Sequence, residues 1–253
     1  KKSHMGDGLL GLEGYMFGKG WAKAYSGNRK YTDAYFDSIT EKLKDLNNVF
    51  DSLGKVFMVV IPPCKEGLFS NMLPEGFEKK GKSDYDSYLE ALNKHDVRHI
   101  DFTQYYQEVI DTSKYPVYSK TGSHWTMYGA HLAMSIIVDS IETLLDTNLL
   151  DYKVASYRFS EFDRGDGDLE GPLNLVFNID KSIFAYPFYV FDSTLNYYRP
   201  KVIIVGDSFY WGVNNSYVPS VIYSDQSKYL YYYSTCYPNS DKPGYPVSNL
   251  NIE

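Results

Sequence analysis

Cysteine is almost missing from this chain of 253 residues, with Cys64 and Cys236 the only two. Two thiols cannot build a disulfide framework, and their spacing does not match a zinc site. They are expected as buried small apolar side chains, with a single disulfide as the alternative. Neither has a histidine beside it in sequence, so neither is nominated as a nucleophile. Long apolar runs are also missing. No segment reaches the roughly 18 apolar residues that a membrane span needs, and residues 1–20 lack the basic-then-apolar order of a signal peptide. Positive charge is in deficit, 25 Lys and Arg against 32 Asp and Glu, for a net charge of −7 with no basic run. Nucleic acid and anionic membrane surfaces are therefore poor partners. No internal repeat, low-complexity linker or break in composition divides the chain. The expectation is one domain over residues 1–253, with 1–30 a loop-rich lead. No cofactor or metal is expected. Asp163 to Leu169 alternates aspartate with glycine as calcium loops do, but it lacks the rest of the twelve-residue loop pattern and its closing glutamate.

What is present is enough apolar residue, 43%, to bury a full core, and an excess of tyrosine, 26 residues. A tyrosine ring has a flat apolar face and a polar edge, which suits stacking on sugars as well as ordinary packing. By itself the excess reads as compositional bias. Ser3-His4-Met5 reads as a cloning remnant, so any native export signal or anchor is expected to have been removed, and the lack of a closing helix after the last strand gives the same expectation of trimming at the other end.

The glycine-dense start, Gly6 to Gly18, reads as turns and short extended pieces. From Thr32 the pattern becomes helical: Tyr35, Phe36, Ile39, Leu43, Leu46, Phe50 and Leu53 share a face, with Thr32 at the N-cap and Gly54 at the end. Lys55 to Ile61 then reads as a buried strand stopped by Pro62-Pro63. Further helices are expected over Asp84–Leu92, Phe102–Ile110 and Thr126–Leu145, and strands over Val97–Ile100, Val202–Val205 and Tyr229–Ser234. Residues 152–200 read as loop-rich. Helix-to-strand alternation implies an α/β fold, a three-layer α/β/α sandwich around a mostly parallel sheet.

The apolar run ending in Gly206-Asp207-Ser208-Phe209 delivers a serine onto a turn at the carboxyl end of a strand. A serine hydroxyl needs a base within reach and donors for the oxyanion it creates at a carbonyl. Backbone N–H groups at the turn, with Gly206 allowing a tight bend, offer part of such a hole; Asn214 is a further donor candidate. The plain alternative is a strand-to-loop turn in which Asp207 and Ser208 cap a following helix. His124, just ahead of the expected cap at Thr126, is the natural base. Trp125, Tyr210 and Trp211, with Tyr128, flank the two blocks as substrate-stacking or wall residues.

The ordered pair Ser123-His124-Trp125-x-x-x-Gly129-Ala130 and, 84 residues after the histidine, Gly206-Asp207-Ser208-Phe209 resembles the SGNH-hydrolase-like domain of the alginate O-acetyltransferase group, the AlgX and AlgJ type. In that group the histidine block precedes the serine block, as here. The resemblance extends to Leu53-Gly54-Lys55, to Ile61-Pro62-Pro63 with Lys65, to Asp168-Leu169 with Leu173-Asn174-Leu175, and to the tyrosine-rich strand after the serine. The family block usually reads Asp-x-His-Trp, with the aspartate orienting the imidazole, and Gly122 stands at that position. Another carboxylate then serves His124, or the site is a Ser–His dyad, or catalysis is reduced. Asp101, at a strand end, and Asp163, Asp166 and Asp168, in the loop, are the candidates.

The resemblance implies acetyl transfer through an acetyl-Ser208 to hydroxyls of an extracellular polysaccharide, with His124 as base. It also implies a membrane-bound O-acyltransferase as acetyl source and a location in the periplasm or on the outer side of the cytoplasmic membrane, anchored or secreted. A carbohydrate acetylesterase with the same pair is the near alternative. A non-catalytic glycan-binding scaffold, with Gly122 marking lost activity, is the distant one.

Overall fold

Glycine density at the start of the chain gives short strands: Gly8–Leu10 (β1) pairs antiparallel with Met16–Gly18 (β2). The computed structural model describes residues 8–161, 166–174, 176–192, 197–239 and 243–250. A short helix follows, Lys19–Tyr25 (α1), which the sequence reading leaves inside the loop-rich lead. Thr32 caps the next, Asp33–Ser52 (α2), its side chain accepting from Tyr35 N. That helix ends as its glycine requires: Gly54 lies at φ +63, while Gly54 N and Lys55 N donate back to the Asp51 and Phe50 carbonyls. Val59–Ile61 (β3), Lys65–Leu68 (α3), Asp84–Lys94 (α4), His99–Asp101 (β4) and Phe102–Val109 (α5) complete the run. A capping box of Ser83 and Asp86 opens α4. The chain divides into two units, and these elements form the first, Lys1–His124 with Glu161–Ile183. Its strands β3 and β4 pair in parallel, and Phe17, Ala22 and Leu73 form one buried cluster in it.

The second unit is Trp125–Ser160 with Phe184–Glu253. It opens on Met127–Leu145 (α6), capped by Thr126, whose side chain accepts from Gly129 N at 3.0 Å. Ala130, Ala133, Met134, Val138 and Ile141 bury the face that the spacing indicates. Tyr152–Ser160 (β5) and Phe184–Phe191 (β6) pair antiparallel where the sequence reads as loop. Ile203–Gly206 (β7), Tyr210–Asn214 (α7), Val218–Ile222 (α8), Lys228–Tyr231 (β8), Thr235–Pro238 (β9) and Tyr245–Pro246 (β10) follow.

The fold is α/β, but the expectation of a mostly parallel sheet needs correction. Among the described residues the pairings are mixed: β3–β4 and β7–β8 are parallel, whereas β1–β2, β5–β6, β8–β9 and β9–β10 are antiparallel. Connection length decides two of them. The crossover through α7 and α8 is long enough to return the chain in parallel, while the turn after Tyr231 can only make a hairpin. Both cysteines are free thiols, which removes the disulfide alternative. Among the described residues no helix is long and apolar enough to cross a membrane.

Candidate active site

Residues 119–124 form an irregular, bent strap in the first unit, and most polar groups along it are bonded. Met16 N donates to Lys120 O, Lys120 N to Asp180 Oδ2 at 2.7 Å, and Leu169 N to Thr121 O. The strap ends in His124. Its Nδ1 lies 2.9 Å from Asp168 Oδ2 and 3.0 Å from Ser123 Oγ, and Ser123 donates to the same carboxylate through both N (2.6 Å) and Oγ (2.5 Å). Burial pushes the Asp168 carboxyl up, but the bonds from His124 and Ser123 outweigh it and hold the group below the usual carboxylate range. An ionised Asp168 fixes the imidazole tautomer with its proton on Nδ1, which leaves the lone pair on Nε2.

Below the strap, Lys65 is 3% exposed, and its ammonium donates to three carbonyls: Met16 O and Lys120 O at 2.8 Å and Gly122 O at 2.6 Å. The rings of Phe17 and Tyr15 lie 5.5 and 5.9 Å from Nζ. Burial pushes this lysine down to about 7, against the opposing pull of Glu66, Asp168 and Asp180. Sequence reasoning meets Lys65 only as part of a resemblance. Its spacing carries no sign that one ammonium ties β2 to the histidine strap.

The other acid candidates are placed differently. Asp101 caps α5 by accepting from Thr103 N and takes a hydrogen bond from Tyr85 OH at 2.5 Å. Asp166 offers its backbone carbonyl to Ser119 Oγ. Asp163 lies outside the described residues.

In the second unit, Ser208 sits between β7 and α7 in a turn that is itself bonded: Asp207 Oδ1 accepts from Phe209 N at 3.0 Å, Ser208 O from Trp211 N, and Asp207 O from Tyr229 OH. Gly206 is a strand residue paired with Tyr231, and a Cβ there would only touch the Tyr229 ring at 3.9 Å. The tight bend expected of this glycine is therefore not what the structure uses. Trp125 is 6% exposed and donates Nε1 to Phe209 O at 3.1 Å, so its indole is an anchor with no open face for a sugar. Gly212 makes room for it, since a Cβ would lie 2.5 Å from that nitrogen. Trp211 packs among Tyr229, Tyr231 and Tyr237, and burial pushes the Tyr210 hydroxyl well up. Asn214 ends α7, its carbonyl accepting from Tyr217 N.

The profile of one family, described as an SGNH hydrolase-like domain, acetyltransferase AlgX, matches residues 19–181, more than half of the chain and including both His124 and Asp168. The chain belongs to the AlgX-type SGNH hydrolase-like family. Two solved structures share the fold. The O-acetyltransferase domain of Pseudomonas putida AlgJ is 18% identical with a TM-score of 0.56, covering 89% of this chain and 78% of that one. Bacillus cereus PatB1 with a sulfonyl adduct is 17% identical with a TM-score of 0.50, covering 87% and 83%. No curated protein sequence matches the chain.

Against the AlgX-type block, Gly122 has a steric explanation. A Cβ there would lie 2.6 Å from Asp166 O and 3.0 Å from Ser119 Oγ, so the strap packs on the 166–168 loop where an aspartate side chain would begin. The same close approach brings Asp168 to His124. Gly122→Ala is expected to destabilise the protein by about 1–3 kcal/mol through overpacking, read as a lowered Tm. An unchanged Tm would show that the loop yields freely.

Proposed function

We propose that this chain is a serine-dependent O-acetyltransferase that acetylates hydroxyls of an extracellular polysaccharide. The observation that carries the proposal is the His124–Asp168 pair, 2.9 Å apart inside a domain of the acetyltransferase family. Ser208 Oγ attacks the donor's acetyl carbonyl while His124 Nε2 takes its proton, and the donor's leaving group departs with that proton. A sugar hydroxyl then attacks the acetyl-serine, giving its proton to His124, which returns it to Ser208. Asp168 stays ionised throughout and stabilises the imidazolium. Within the second unit, Trp125, next in the chain after His124, is anchored on the carbonyl of the residue after Ser208.

The absent acid at Gly122 was the feature that favoured a non-catalytic scaffold. With Asp168 on His124 that argument loses its force. In keeping with the family, the acetyl source is a membrane-bound O-acyltransferase and the site of action lies outside the cytoplasmic membrane.

Release of nitrophenolate from p-nitrophenyl acetate tests the reading directly. Ser208→Ala is expected to reduce it at least about 10³-fold, and wild type supplied with a glycan acceptor should yield acetylated glycan. Equal background release by both proteins would reject a serine nucleophile. Acetate with no acetylated glycan would select the esterase.

A further inference from the structure

The turn joining β8 to β9 holds two tyrosines in a conformation that tyrosine rarely adopts. Tyr232 and Tyr233 lie at φ 48 and φ 55, and Ser234 N closes the turn onto Tyr231 O at 3.0 Å. A turn with both central residues left-handed strongly prefers Asn-Gly, because a Cβ crowds the following carbonyl. The two side chains gain no burial in exchange: Tyr232 is 58% and Tyr233 76% exposed. Strain retained without a packing return marks a position kept for what it contacts.

The surroundings say what that contact is. Tyr232 N donates to Gly206 O at 3.1 Å, which fixes the turn to the end of β7, two residues before Ser208. Its ring lies 4.5 Å from that of Tyr231, which joins Trp211 and Tyr237 in a continuous aromatic cluster. Residues 202–227 and 229–239 contain no lysine or arginine, and Asp207 in the serine turn is exposed. Two exposed tyrosine rings with hydroxyl edges, in a stretch of chain poor in cations, suit an uncharged sugar ring better than a polyanion. We infer that Tyr232 and Tyr233 form a stacking platform for a neutral hexose-based glycan chain, presented beside Ser208.

This deepens the acetyltransferase proposal and rests on it for the glycan, yet it can be tested apart from the chemistry. Binding of cellohexaose and of a mannuronate hexamer, with no acetyl donor, would be measured by calorimetry on wild type and on the Tyr232→Asn/Tyr233→Gly double variant. The expected result has two parts. The variant's Tm rises by about 4 °C as the strain is released, while its affinity for cellohexaose falls roughly tenfold or more. Unchanged cellohexaose affinity in the variant, or no cellohexaose binding by wild type, overturns the platform. Tighter binding of the mannuronate hexamer overturns the neutral class. Nitrophenyl acetate release by wild type and Ser208→Ala, run alongside, reports on the acyl chemistry whichever way binding turns out.

Discussion

Asp168→Asn is expected to lower kcat for acetyl release by about 10⁴-fold, the scale on which serine hydrolases lose turnover when the acid behind their histidine is made neutral. The substitution keeps the shape, so the fold should survive. Its effect lies in the proton. Asp168 accepts from Ser123 N, Ser123 Oγ and His124 Nδ1, and a carboxylate can serve all three. An amide has one oxygen. Once the Ser123 N–H occupies it, the amide nitrogen faces Nδ1 and favours the tautomer whose proton sits on Nε2, where a lone pair is needed. KM for the acetyl donor should change far less than kcat, because the lost interaction matters while charge develops on the imidazole. Equal kcat for variant and wild type would remove Asp168 from the mechanism.

The same residue sets an acid limit on stability. Its carboxyl is held below the ordinary 3.8 in the folded protein, so its contribution is complete above that value and is lost as pH falls through the lower folded one. Asp168→Asn should flatten this acid limb.

Lys65→Met is the second large effect, and it is expected first in stability. Removing the ammonium takes a donor from the Met16, Lys120 and Gly122 carbonyls at once. The Lys120 carbonyl keeps Met16 N, but the others lose a buried partner, for a cost on the order of 3 kcal/mol, or about 10 °C in Tm. Gly122 is two residues from His124, so the loosened strap should also lower kcat in the fraction that stays folded. A pH signature separates this from a simple cavity. The folded-state value of about 7 lies below the ordinary 10.5, so between these values the unfolded chain holds the proton that the folded chain has shed. Wild-type stability gains from this group as pH rises through that window. Lys65→Met should lose the gain, which urea unfolding at pH 7 and pH 10 would measure. An identical slope in both proteins would show that Lys65 does not titrate there.

Much of the fold was legible because the signals were short-ranged. Thr32 and Gly54 bound α2 at the ends their side chain and backbone freedom dictate. Thr126 starts α6, so His124 falls outside the helix and onto the strap. The hairpin of β5 and β6 was not legible. Its strands are separated by 161–183, and a pairing made over such an excursion leaves no turn signal to read.

The sequence by itself determined the residues on which the proposed chemistry rests, a serine after a β-branched run and a histidine before a helix cap, and the family to which residues 19–181 belong. Tertiary structure alone decided which acid serves the histidine. Asp101, Asp163, Asp166 and Asp168 were equal on paper, and among the described ones packing of the 166–168 loop on Gly122 brings Asp168 to Nδ1 and crowds out a side chain at 122. Caps and periodicities are written within a few residues. The partner of this partly exposed imidazole is chosen across 44 residues of chain by what space remains once the backbone has closed beside it.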